Sequence, residues 1–155
     1  MSIGFIGLGN LGKAIATRLS DVGEELIVYN RNAEKIKDLG YEIASSPKEL
    51  LTKCDVIFMC LFDSPAVNNI FSMHDGLLSE ELKGKTIIDL TTNHYEDVLK
   101  FHEAVNTLGG NYLENPVFGS VAPALKGELT VVSSGKKEVF ENAKPILEKI
   151  AKEIF

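Results

Sequence analysis

The chain has no tryptophan and only two cysteines, Cys54 and Cys60. Two thiols in or beside one apolar stretch make neither a disulfide scaffold nor a zinc site, so both read as small core residues. No apolar run approaches the roughly 20 residues of a membrane span. A secretory leader is not expected either, because Lys13 and Arg18 follow the first apolar stretch, which is short and glycine-rich. A cytoplasmic protein is the default expectation. Basic tracts are missing too. Lys and Arg total 16 against 22 Asp and Glu, a formal net charge of −6, the reverse of the balance by which nucleic-acid binders neutralise phosphates. An anionic dinucleotide needs only local cations, and Arg31, Lys35 and Lys37 cluster near one turn.

What is present is a chain of 155 residues, 45% of them hydrophobic. That is long enough for one well-buried domain and too short for two ordinary ones, so a single domain over 1–155 is expected. Short β-type runs alternate with amphipathic stretches. The pattern predicts an α/β fold: a doubly wound, mostly parallel sheet with helices on both faces. Strands are predicted at 3–6, 26–29, 41–44, 56–60, 86–90, 112–114 and 129–133, with a further strand beginning at Glu153. Helices are predicted at about 10–22, 33–39, 93–108 and 136–151. Two more begin at Ser46-Pro47, with Glu49 completing a capping box, and in the same way at Ser64-Pro65. Asn93 is the expected cap of the 93–108 helix, and 115–127 reads as a loop.

Gly7-Leu8-Gly9-Asn10-Leu11-Gly12 matches G-x-G-x-x-G. The pattern alone is weak, and an unliganded strand–helix turn gives the same letters. Here it follows a predicted strand and opens a predicted helix, the context that a Rossmann-type pyrophosphate site requires. Gly7 permits the sharp turn, Gly9 lets phosphate approach the backbone, and Gly12 lets helix and strand pack closely. First-turn N–H groups of the helix then meet the anion.

The end of the second strand decides the cofactor. An NAD site usually has Asp or Glu there, to bond the ribose hydroxyls. This chain has Tyr29-Asn30-Arg31-Asn32. Asn30 does not repel a 2′-phosphate, Arg31 can meet it with a planar fork, and Lys35, one turn along, can add a second cation. NADP(H) is therefore expected, although such charges also occur as a merely solvated helix start.

With Gly4-Phe5-Ile6 leading into the glycine turn, the sequence resembles the N-terminal domain of the β-hydroxyacid dehydrogenase family. That family includes 3-hydroxyisobutyrate dehydrogenase, 6-phosphogluconate dehydrogenase and the glyoxylate/succinic semialdehyde reductases. Tyr29-Asn30-Arg31 resembles its NADP-type segment, and Asp89-Leu90-Thr91-Thr92 its D-x-S-T segment. Glu114-Asn115-Pro116-Val117-Phe118-Gly119-Ser120, with Pro123-Ala124 and Gly127, resembles its substrate loop. Ser120 and the Pro-Ala pair look most like the glyoxylate/succinic semialdehyde reductase branch. The resemblance implies that Leu8, Gly9, Asn10, Leu11, Asn30, Arg31, Lys35, Leu61, Phe62, Val67 and Thr92 contact the cofactor, and that Phe118, Gly119 and Ser120 meet a small-molecule substrate.

Two departures limit what is carried over. Phe118 stands where the family usually has serine, and its ring either walls the pocket or packs beneath the loop. The family's catalytic lysine and its companion asparagine lie on a helix that follows this domain, and no lysine here matches, so no catalytic residue is assigned. His94 follows Thr92 at a strand end but reads as a partly exposed first-turn residue. His74 and His102 have no partner at metal-ligand spacing, so no metal is expected. The function expected is hydride transfer to or from a small aldehyde, 2-oxoacid or β-hydroxyacid, with the missing helical domain or a homo-oligomer partner completing the enzyme. The alternative is a stand-alone NADP(H)-binding module without catalysis.

Overall fold

A computed structural model describes residues 2–155. Six strands form one wholly parallel sheet: β1 (Ile3–Ile6), β2 (Leu26–Tyr29), β3 (Glu42–Ile43), β4 (Val56–Met59), β5 (Thr86–Asp89) and β6 (Asn111–Glu114). Their spatial order is β3-β2-β1-β4-β5-β6, the Rossmann order. All pairs are parallel, with Ile3 of β1 opposite Leu26 on one side and Val56 on the other.

Side chains alternate along each strand and so divide the interior in two. Phe5, Val28, Phe58, Ile88 and Leu113 project into one core, where they meet Ala14, Ile15 and Leu19 of α1 (Asn10–Asp21) and Val139, Ala143 and Leu147 of α6 (Lys137–Leu147). Phe5 and Phe58 stack there with ring centroids 6.0 Å apart. Ile6, Ile27, Ile57, Met59, Ile87 and Tyr112 face the second core. It is covered by α2 (Pro47–Lys53), α3 (Ser64–Ser72) and α4 (Tyr95–Thr107). Burial of strands on both faces explains why they read as continuous apolar runs.

Several predicted details are corrected. Residues 33–39 form two single 3₁₀ turns, Ala33–Lys35 and Lys37–Leu39, rather than a helix. Only Ile36 of that stretch is buried, too little apolar surface to hold a longer helix against its nucleation cost. The cap of α3 is Asp63, whose carboxylate accepts from the Ala66 N–H at 2.9 Å, so Ser64 is inside the helix. α4 begins after His94 without a side-chain cap, because Asn93 is engaged elsewhere. In α2 the Ser46 hydroxyl does accept from Glu49 N–H at 3.2 Å, but the Glu49 carboxylate returns to Ser45 N–H at 2.7 Å.

The expected loop 115–127 contains β7 (Val117–Phe118) and α5 (Val121–Lys126). β7 pairs antiparallel with β8 (Leu129–Val131), which pairs in parallel with β9 (Ala151–Ile154), making a small second sheet beside the first core. The last helix stops at Leu147, ahead of its predicted end, because the chain must turn into β9.

Candidate functional site

The strand order reverses beside β1: the chain moves first to β2 and β3, then crosses back to β4 on the other side. Outward of the carboxyl ends of β1 and β4 this leaves a crevice, where ligands of such sheets bind. It is a cleft of about 980 Å³, lined on one side by the turn Gly7 to Gly12 and on the other by the segment after β4.

The glycines have distinct reasons to be there. Gly7 has φ +91°, and a side chain on it would strike the Cys60 carbonyl. A Cβ on Gly12 would overlap the Gly7 carbonyl oxygen, so α1 is seated directly on the strand end. Gly9 is different. Its φ of −68° suits any residue, and a Cβ there would meet nothing within 4 Å. The space beside it is open cleft. α1 starts after Gly9 with no side-chain cap and no acidic residue in its first turn, leaving donors and the positive end of the dipole directed outward.

Asn30 has a role that its sequence position did not reveal. Its Oδ1 accepts from the Leu8 N–H at 3.0 Å, and its Nδ2 donates to the Asn32 carbonyl at 2.9 Å. With the Gly7 N–H bonded to the Tyr29 carbonyl at 3.1 Å, the end of β2 is stitched to the glycine turn. Arg31 and Lys35 line the cleft beside it and are exposed. Neither belongs to an ion pair among the described residues, whereas Lys37 is paired with Glu34 at 2.8 Å.

The opposite wall comprises Cys60, Leu61, Phe62, Asp63, Pro65 and Ala66, with Asn69 and Ile70 of α3 and Met73 just past its end farther along. Phe62 is 94% exposed, its ring standing free at the cleft edge. Burial, with the Asp89 charge adding to it, pushes the Cys60 thiol up to about 12, so it is an apolar wall atom and not a nucleophile.

Beneath this wall lies a polar network centred on Asp89, which is fully buried. It accepts from Thr91 N–H at 3.0 Å, Asn93 Nδ2 at 2.9 Å and Tyr112 Oη at 2.7 Å. Burial pushes its carboxyl above the ordinary range, against the pull of these donors. The Thr91 hydroxyl accepts from Leu61 N–H at 3.0 Å. Sequence reasoning singled out Thr92, which is exposed just past the strand end and does not line the cleft, gave Thr91 no role of its own and read Asn93 only as a helix cap. Val67 is likewise not brought to the cleft: it is fully buried in the second core.

Phe118, Gly119 and Ser120 stand outside this cleft and are exposed. Phe118 is 60% exposed, which rules out a ring packed beneath the loop. Gly119 has φ +137°, and a Cβ there would press on Leu129. Ser120 precedes α5 with its hydroxyl making no cap bond. His94 is exposed and lies 4.9 Å from the Tyr95 ring, with no hydrogen bond to its imidazole among those of the described residues. His102 meets Tyr112 edge-on at 4.7 Å, and burial lowers its pKa. Among the described residues no cluster of His, Cys, Asp and Glu could hold a metal ion, and no helix is long and apolar enough to cross a membrane.

Comparison with known proteins agrees with this geometry. Residues 2–155 match the family described as the NAD binding domain of 6-phosphogluconate dehydrogenase. Glyoxylate/succinic semialdehyde reductase 1 of Arabidopsis thaliana is 35% identical over 158 residues, covering 100% of this chain and 55% of the relative. The 2-hydroxy-3-oxopropionate reductase of Escherichia coli is 34% identical over 156 residues, covering 99% and 53%. Among solved structures, Psf3 in complex with NADP+ and 2-OPP superposes with a TM-score of 0.92 at 35% identity, over 98% of this chain and 55% of that one. The chain thus spans about half the length of the curated relatives it matches.

Proposed function

Because the chain belongs to the family of the NAD binding domain of 6-phosphogluconate dehydrogenase, we propose that residues 1–155 are the NADP(H)-binding domain of an oxidoreductase acting on a small aldehyde, 2-oxoacid or β-hydroxyacid. The observation that carries the choice of NADP(H) is the end of β2: two exposed cations, Arg31 and Lys35, without ion-pair partners among the described residues, and an amide rather than a carboxylate at Asn30.

The residues present fit a dinucleotide. The empty space at Gly9 and the uncapped N-terminus of α1 suit the pyrophosphate. Arg31, with Lys35, suits the 2′-phosphate, while Asn30 holds the turn in shape. Leu61 and Phe62 offer an apolar wall to the other half, and Thr92, exposed just past β5, would meet it only at the rim. When bound, the cofactor would supply the hydride to an aldehyde or oxoacid, or accept it from a β-hydroxyacid; the protein supplies orientation and exclusion of water. Phe118, Gly119 and Ser120 would meet the substrate. The substrate side is completed by the family's helical domain or a second copy, for which the exposed Phe118, Val121 and Leu125 offer apolar surface.

Titration calorimetry tests the reading. NADPH is expected to bind more tightly than NADH, and Arg31→Ala to weaken NADPH by about ten- to a hundredfold, on the order of 1.5–3 kcal/mol, while leaving NADH unchanged. Equal affinity of the unmutated protein for both cofactors would overturn the preference. Phe118→Ser, at an exposed ring, is expected to shift stability by no more than about 0.5 kcal/mol. In the whole enzyme it should raise kcat/KM for small carboxylates, and an unchanged substrate profile would remove Phe118 from the site.

A further inference from the structure

Asp89 combines features that stability alone does not explain. It is fully buried and has no cationic partner among the ion pairs of the described residues. A buried carboxylate is costly unless well hydrogen-bonded, and an apolar side chain of similar size would fill the space without that cost. What the carboxylate gains is three donors, Thr91 N–H, Asn93 Nδ2 and Tyr112 Oη, which fix the course of the chain just past β5.

From that fixed loop the bonds reach across to the wall of the cleft. The sheet ladder ends at Cys60, whose N–H still donates to the Ile6 carbonyl at 2.9 Å. One residue later the Leu61 N–H has no strand partner and donates to the Thr91 hydroxyl at 3.0 Å. The Ser64 hydroxyl donates to Asn93 Oδ1 at 3.0 Å and accepts from the His94 N–H at 2.9 Å. Leu61 and Ser64 thereby bracket Phe62 and Asp63, which lie between two tethers that both lead back to Asp89 through residues of the same loop.

We infer that Thr91 and Asp89 are positioning residues for the dinucleotide: they touch no part of it, but hold Leu61 and Phe62 as the wall against which its non-adenosine half lies. The inference rests on the NAD(P) reading of the cleft. It separates the site into two independently built halves. The adenosine side depends on Asn30, Arg31 and the glycine turn; the other side depends on a polar hub anchored in a neighbouring strand.

The test compares two probes on purified protein. NADP+ spans both halves, whereas adenosine 2′,5′-bisphosphate reaches only the first. Thr91→Val removes the acceptor for Leu61 N–H at nearly constant volume. It is expected to weaken NADP+ by about tenfold while adenosine 2′,5′-bisphosphate stays within about twofold of wild type. Thr91→Ser, which restores the hydroxyl, should recover most of the loss. Amide hydrogen exchange gives a readout that needs no ligand: Thr91→Val should speed exchange at Leu61 by about tenfold or more, with Phe58 and Ile88 unchanged. Should Thr91→Val fail to fold, Tyr112→Phe removes one donor to Asp89 while keeping the ring. It should move both readouts in the same direction by less. Equal weakening of both probes, or unchanged exchange at Leu61, would overturn the inference. If the wild type binds neither probe, it is the cofactor reading that has failed, and the inference falls with it; the exchange data then judge the tether alone.

Discussion

Two helix N-termini open onto the same cleft from adjacent strands, and they are finished differently. α1 follows β1 through Gly9, with no side chain accepting from its first-turn amides and no acid nearby in its first turn. α3 follows β4 through Asp63, whose carboxylate accepts from Ala66 N–H at 2.9 Å. A helix that has already given a first-turn donor to its own carboxylate offers less to an anion and repels one besides. A phosphate-binding terminus is therefore recognised by what it leaves unmade. The contrast also orients the ligand, since the anionic pyrophosphate belongs on the α1 side and the apolar wall beyond β4 is left for an uncharged part.

Making α1 like α3 should have the largest effect. Gly9→Asp supplies the missing cap at a backbone conformation any residue adopts, with its side chain directed into open space. NADP+ affinity is expected to fall by roughly a hundredfold or more, by loss of charge-assisted bonds and by repulsion. Stability should change by only a few tenths of a kcal/mol. Calorimetry and a thermal melt on one sample check both, and retained affinity would remove the pyrophosphate from this turn. Gly12→Ala should behave in the opposite way. The methyl group must displace the Gly7 carbonyl, so urea unfolding should show a loss of about 1–3 kcal/mol, with whatever folded protein remains still binding. The smallest effect is expected at the other terminus. Asp63→Ala removes the α3 cap at a cost of about 1 kcal/mol, while NADP+ affinity stays the same or rises because a carboxylate has left the cleft. A large loss of affinity there would break the contrast.

The glycine turn and the strands were legible because their signals are local. Short apolar runs with breakers between them mark a parallel sheet, and three glycines at fixed spacing between strand and helix mark the turn. The cation pair at Arg31 and Lys35 was legible for the same reason. What was not legible depends on partners distant in sequence. Ser64 and Asn93 both looked like helix caps, since each is a capping residue ahead of an amphipathic stretch. Instead they bond to each other, 29 residues apart in sequence, and Asp63, one position earlier, takes the cap of α3. Thr91 and Thr92 are indistinguishable in composition; only the course of the chain past β5, held by the bonds to Asp89, turns the Thr91 hydroxyl toward Leu61 and leaves Thr92 exposed. Val67 looked like a cofactor contact by resemblance, but the face of α3 that carries it packs onto the sheet. β7 and α5 went unseen because two and six residues are too few to show a period.

The division of the interior into two cores has a consequence for the order in which the molecule can be assembled. The second core draws on no buried residue beyond Tyr112. The first needs Ala124, Leu129, Val131, Val139, Ala143, Leu147, Ile150 and Ala151. During synthesis one face of the sheet can therefore be clothed by α2, α3 and α4 while the other, with Phe5, Val28 and Phe58, has only α1 upon it. A nascent chain at that stage carries a half-covered hydrophobic sheet, the kind of species that chaperones hold and that aggregates when they do not. Arrival of α6 and β9 closes that face and ends the exposure.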